Sequence, residues 1–167
     1  NYQVFDERRY FVPGHSPCVF EVQGLRVGLL ICEDAWHAGP ARDCAAAGAQ
    51  MLAVINASPF HRGKGAEREA TMRARVQETG LPLVYAHLVG GQDEVVFEGR
   101  SFALGADGTV CARAPAFEEK LVFAQVDTAQ EAIKIIANMA PEQSPEAELW
   151  DALVLGVRDY VRKNGFP

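Results

Sequence analysis

Leu25-Arg26-Val27-Gly28-Leu29-Leu30-Ile31-Cys32-Glu33-Asp34-Ala35-Trp36 decides how this chain is read. Seven residues, mostly apolar, suit a strand buried on both faces. They give way abruptly at Cys32 to two acids and a tryptophan, which marks a strand-to-loop edge. A second apolar run, Cys18 to Val22, precedes it across Gln23-Gly24, so the two form a hairpin. Cys32 therefore stands at the carboxyl end of an interior strand, the edge where layered α/β folds expose reactive groups. From pattern alone it is either a nucleophile or a packed thiol, since free cysteine is among the most buried residue types. Glu33 and Asp34 oppose a thiolate, so a reactive Cys32 needs a cation that this segment does not supply.

Outward from that edge the chain alternates. Pro40 to Gly48 is alanine-rich and closes on glycine as a short helix, Met51 to Ile55 is an apolar strand, and Asn56-Ala57-Ser58-Pro59-Phe60 leaves it as a polar loop. Lys64 to Gly80 reads as a charged helix and Leu81 to Val89 as a further strand, with Pro82 tolerated near its start. This order predicts an α/β layered domain. Beyond Gly90 come short strand candidates at Val95 to Phe97, Ser101 to Leu104, Val110 to Ala112 and Leu121 to Val126, separated by glycine turns, and they predict an antiparallel meander. Gln130 to Gln143 reads as a connecting segment. Ser144-Pro145-Glu146 is a helix start with a capping hydroxyl, proline in the first turn and acids after it. That helix runs to about Lys163, with Leu149, Leu153, Val157 and Tyr160 at helical spacing and Gly165 as its stop.

Composition excludes several classes. The 167 residues are 49% hydrophobic and 23% charged, as in an ordinary globular domain, and the formal net charge is -6. Such a balance offers no attraction to phosphate backbones or anionic membrane surfaces, so neither nucleic acid nor membrane is the expected partner. No apolar run approaches the roughly 20 residues of a bilayer span, and Asn1 to Arg9 lacks the order of a signal peptide, which leaves a cytoplasmic location as the expectation. Cys18, Cys32, Cys44 and Cys111 form no CxxC pair, and His15, His37 and His61 share no ligand spacing, so no metal site is expected. The chain starts without methionine and stops directly after a helical pattern, and it reads as an excerpt of a longer polypeptide.

Gly28 to Trp36 resembles the nucleophile segment of the carbon-nitrogen hydrolase, or nitrilase, superfamily. Within it, the Cys-Glu-Asp-x-Trp form resembles the glutamine-hydrolysing NAD synthetases. Further stretches agree in order: Asn1-Tyr2 through Phe5 to Phe11, Asn56 to Phe60 with Gly63-Lys64, Gly90 to Glu94 with Phe97-Glu98-Gly99, and Ser101-Phe102. The resemblance implies an αββα two-layer nitrilase sandwich, incomplete at its N-terminus, over residues 1–128. A linker at 129–143 and a first helix at 144–167 would lead into an absent ATP-pyrophosphatase synthetase domain.

The same resemblance implies a Glu-Lys-Cys triad that hydrolyses the glutamine carboxamide, with the ammonia serving ATP-dependent conversion of deamido-NAD to NAD. Cys32 matches the nucleophile. The lysine and glutamate are expected upstream of Asn1, so the chain alone is expected to be inactive. Tyr2, Ser58 and Lys64 match glutamine-binding positions, Glu7 is an auxiliary acid candidate, and Trp36 a candidate pocket wall. A hydroxyl can hold the amino or carboxylate group of glutamine and an ammonium can pair with its carboxylate. No cofactor is expected in this domain; ATP, Mg and deamido-NAD belong to the absent one. A homo-oligomer is expected. His87 stands where family members more often carry asparagine and reads as a tolerated neighbour of the Gly90-Gly91 turn. Two other readings stay open: a different nitrilase-fold amidase, and a non-catalytic nitrilase-fold interaction module.

Overall fold

A computed structural model describes residues 9–128 and 133–166. The opening hairpin forms as the sequence predicts. Strand β1 (Cys18–Val22) pairs antiparallel with β2 (Leu25–Ile31) around Gln23-Gly24, both at positive φ. A 3-10 turn (Cys32–Trp36) follows, then helix α1 (Ala38–Ala46), strand β3 (Met51–Asn56), helix α2 (Lys64–Thr79) and strand β4 (Leu83–His87). Strands β2, β3 and β4 are parallel neighbours, as two successive strand-helix-strand units require. Helix α2 stops where Gly80, at φ +70, returns its N–H to the Val76 carbonyl.

Both helices lie on one face of the sheet. The period-2 alternation of the strands turns Leu30, Leu52, Val54, Leu83 and Tyr85 toward them, and Ala41, Cys44, Met72 and Val76 meet these from the helices. Gly28 is where α1 approaches closest: a Cβ there would come within 2.7 Å of the Cys44 Cβ. On the opposite face Val27, Met51, Ala103, Ala112 and Ile135 form a second, smaller cluster. The upper part of that face is open, with Ile31 59% and Ile55 55% exposed. No helix among the described residues is long and apolar enough to cross a membrane.

Beyond β4 the expected meander is replaced by three separate pairings. Strands β7 (Phe102–Leu104) and β8 (Val110–Arg113) extend the main sheet, giving the order β1-β2-β3-β4-β7-β8. Strands β5 (Val89–Gln92) and β6 (Val95–Glu98) form a hairpin of their own. The run read as Leu81 to Val89 is thus divided at Leu88, where the chain leaves the sheet. Strand β9 keeps only Gln125–Asp127 of the longer run expected there, with Leu121 and Phe123 exposed, and it pairs with β10 (Lys134–Ile136). That last strand lies inside the segment read as a connection, because Ile135 finds a buried place under the second cluster.

Helix α3 (Pro145–Lys163) begins as predicted, with the Ser144 hydroxyl accepting the Ala147 N–H. The stripe Leu149, Leu153, Val157 and Tyr160 is exposed, and the helix packs through Ala152 and Leu155 instead. Small residues decide this. Gly91 of β5 sits against Gly156 so closely that a Cβ would meet its Cα at 3.1 Å, and the Gly91 N–H reaches the Asp159 carboxylate at 2.8 Å. Glu148 pairs with Arg100 at 2.5 Å at the other end.

Candidate active site

Cys32 opens the 3-10 turn at the carboxyl end of β2 with φ +48, a conformation uncommon for a residue with a Cβ. Strained backbone of this kind persists where surrounding structure fixes it, and it accumulates at reactive positions. The turn is held locally: the Ile31 N–H donates to Asp34 Oδ2 at 3.0 Å, and Glu33 lies 3.4 Å from His37 Nε2. The two acids that threatened a thiolate thus have their own partners.

The strand register sets what stands beside the thiol. Ile31 pairs with Ile55 and Asn56 with His87, so Cys32, Asn56 and His87 follow one another across the carboxyl ends of β2, β3 and β4. These ends bound a hollow of about 480 Å³, with Ile31, Ile55, Ala86 and Leu88 as its apolar wall. Cys32 also walls a second hollow of about 520 Å³ with Phe11, Val12, Glu33 and His37. Crevices at the carboxyl edge of parallel strands are where α/β folds bind ligands. A further hollow of about 350 Å³ between α3 and the β7–β8 side has no nucleophile, and its Arg100 and Arg113 are already paired with Glu148 and Glu69.

Behind the strand ends lies a buried polar network. Arg68 of α2, 2% exposed, directs Nε and Nη2 at Ser58 Oγ (3.1 and 3.0 Å), Nη2 also at the Ser58 and Pro59 carbonyls (3.2 and 3.3 Å), and Nη1 at Glu98 Oε1. A planar fork is suited to gripping one turn from several sides. Burial pulls the Arg68 guanidinium below its ordinary range, and Tyr85, Glu67 and Cys32 counteract this electrostatically. A buried cation is thus present behind the strand ends, on a helix 36 residues after Cys32, with its donors committed to Ser58, Pro59 and Glu98.

His87, buried, joins the same network. Its Nδ1 lies 2.9 Å from the Gly99 carbonyl, and the Ser58 N–H points at Nε2 from 3.3 Å. Its Nε2 also lies 3.1 Å from the Ser58 carbonyl. Burial, with help from Arg68, pushes its pKa down to about 4, so the ring is neutral at pH 7. The reading of His87 as a tolerated bystander is thus corrected: it holds the Ser58 turn. Burial also pushes the Tyr85 phenol up, leaving it protonated.

The predicted site residues divide. Trp36 and Lys64 are brought together, the ammonium 4.2 Å from the ring centroid and 2.9 Å from Glu67. Ser58 follows the strand end beside Cys32, but its side chain is turned inward to Asn56 and Arg68 and it is 5% exposed. Tyr2 and Glu7 lie outside the described residues. Sequence reading passed over Arg68, and it quoted Asn56 and Glu98 within motifs without giving them work. The available signal was weak: an arginine four residues beyond Lys64 shares its helix face, and its buried partner Glu98 is 30 residues further on.

Known proteins resemble this chain over most or all of its length. Residues 2–134 match the model of the carbon-nitrogen hydrolase family. A glutamine-dependent NAD(+) synthetase of Xylella fastidiosa is 45% identical over 169 residues, covering 99% of this chain and 31% of the relative. One from Acinetobacter baylyi is 41% identical over 166 residues, covering 99% and 30%. Among solved structures, a glutamine-dependent NAD+ synthetase from Acinetobacter baumannii bound to ADP superposes with a TM-score of 0.92 at 38% identity, over 100% of this chain and 32% of that one. A mutant Nesterenkonia amidase, whose structure shows acrylamide added to the active site cysteine, gives a TM-score of 0.60 at 26% identity, over 86% and 52%. The chain thus spans about a third of the length of the curated relatives it matches.

Proposed function

The chain belongs to the carbon-nitrogen hydrolase family, and from that premise we propose that it supplies the nucleophile of a glutamine amide hydrolase. The observation that carries this is the place of Cys32: strained, at the carboxyl edge of parallel strands, and walling the hollow it shares with Asn56 and His87. The Cys32 sulfur attacks the glutamine carboxamide carbon, ammonia leaves, and water hydrolyses the thioester. In the full-length protein, upstream glutamate and lysine complete the triad as general acid-base and oxyanion cation. Tyr2 and Ser58 belong to the glutamine site, Ser58 as the turn that shapes it, and Glu7 serves as auxiliary acid. The ammonia passes to a synthetase domain of the same polypeptide, which binds ATP, Mg and deamido-NAD to make NAD. The protein works as a cytoplasmic homo-oligomer. The NAD synthetase reading is favoured over another amidase because the likeness to a synthetase spans all of the chain, α3 included.

Lys64 is the carboxylate anchor of this proposal. Its ammonium rests on the Trp36 ring and pairs with the exposed Glu67, an exchangeable partner of the kind that contributes little. A substrate carboxylate is held in ground and transition state alike, so Lys64→Ala is expected to raise the glutamine KM by about 10- to 100-fold while kcat stays within a few-fold. Steady-state ammonia release over a glutamine series checks this. An unchanged KM removes Lys64 from the site.

A further inference from the structure

Three polar residues stand at the wall of the hollow that holds the nucleophile: Cys32 itself, Asn56 and His87. Both ring nitrogens of His87 are committed, to the Gly99 carbonyl and to the Ser58 backbone. Asn56 is committed at one end only. Its Nδ2 donates to Ser58 Oγ at 2.9 Å, and Ser58 Oγ is itself pinned by the Arg68 fork, so the plane of the amide is fixed. Its Oδ1 is buried and accepts no hydrogen bond, although the residue is only 3% exposed. Buried carbonyl oxygens in folded proteins are nearly always paired, so an orphan at a hollow marks where a donor is meant to arrive. The parallel pairing of Ile31 with Ile55 makes Asn56 the strand-end neighbour of Cys32, with the backbones about 4.8 Å apart.

Resting on the glutaminase reading, we infer that Asn56 Oδ1 accepts an N–H of the scissile carboxamide and so determines specificity for amides. In the first step a C–S bond forms as the C–N bond breaks, and the nitrogen departs as ammonia carrying the former thiol proton. Water then splits the thioester to glutamate and restores the thiol. Before the first step the carboxamide nitrogen offers two donors to an acceptor that has no other partner. After the second, the product presents only carboxylate oxygens, which meet Oδ1 acceptor to acceptor and are turned out. An amide is thus preferred over a carboxylate or an ester at the same carbon, because only the amide satisfies the buried oxygen.

The test compares glutamine with glutamate γ-methyl ester, whose leaving group has no N–H, on one preparation of the full-length protein. Asn56→Leu keeps the branched shape and removes the acceptor. Its amide-to-ester ratio of kcat/KM is expected to fall about tenfold or more. A ratio unchanged while both rates fall together is the signature of a purely structural residue and overturns the inference. Should the leucine variant fail to fold, Asn56→Ala is read on the same ratio, with the same two outcomes. Failure of the glutaminase reading itself looks different: the wild-type protein then turns over neither substrate.

Discussion

Expressed by itself, the 167-residue chain is expected to release no measurable ammonia from glutamine. The proposed reaction needs a cation at the oxyanion and a general acid-base beside the thiol. The chain holds four lysines, and none is placed for the first task. Lys163 bonds to the Gly91 carbonyl at 2.6 Å, Lys120 pairs with Glu118, Lys134 lies on β10 at the far end of the second cluster, and Lys64 rests on Trp36. The Arg68 guanidinium is spent on Ser58, Pro59 and Glu98, so it polarises the neighbourhood without reaching substrate. Members of a cooperating catalytic set are strongly non-additive, so loss of the partners leaves no graded residual rate. The open sheet face around Ile31 and Ile55 adds a second handicap, since exposed apolar surface of this kind invites association. Ammonia release measured for this chain and for the full-length protein at matched concentration decides the matter. Comparable turnover by the chain alone means that the triad assignment is wrong and that Lys64 or Glu7 is catalytic.

Arg68→Met is expected to destabilise the full-length protein's nitrilase-type domain by about 3 to 5 kcal/mol, the usual penalty for stripping one partner from a buried ion pair. Glu98, 3% exposed, is then left as an uncompensated carboxylate, while the Ser58 and Pro59 carbonyls and the Ser58 hydroxyl lose their shared donor. Against a total stability of about 5 to 15 kcal/mol this is a large fraction. Denaturant midpoints of wild type, Arg68→Met and the double variant Arg68→Met with Glu98→Leu measure it. The double variant should recover much of the loss, because an apolar pair replaces the stranded charge. A shift below about 1 kcal/mol in the single variant, within the range of exposed ion pairs, shows that the guanidinium does not anchor the turn.

What the sequence made legible follows the range of the interactions. The β1–β2 hairpin, the two strand-helix-strand units and the start of α3 are specified by period, glycine stops and a cap, all local signals, and each was read close to its observed bounds. The division of the later strands was not legible, since whether Val95 or Phe102 joins the main sheet depends on partners elsewhere in the chain. The packed face of α3 was not legible either. Its apolar stripe has the correct spacing, yet the packing is set by Gly91 and Gly156, small residues that carry no hydrophobic signal. The Cys32 edge was visible as an abrupt change of texture, and the resemblance gave it a role. The network behind it was not visible, because Arg68 sits in a helix that reads as charged and solvated, and only the fold sets it against Ser58, His87 and Glu98. His87 shows the same limit: beside a glycine turn it reads as incidental, whereas both its nitrogens are used.

Among the four cysteines, Cys32 is the proposed nucleophile toward glutamine. Burial raises the thiol pKa of Cys44 and of Cys111, which suppresses their reactivity, while Cys18 is exposed on β1. The direct measurement is mass spectrometry of the full-length protein after brief exposure to a diazo-oxo-norleucine type reagent, with and without excess glutamine. The account predicts one adduct, on Cys32, suppressed by glutamine. An adduct on Cys18, Cys44 or Cys111 with Cys32 unmodified contradicts it.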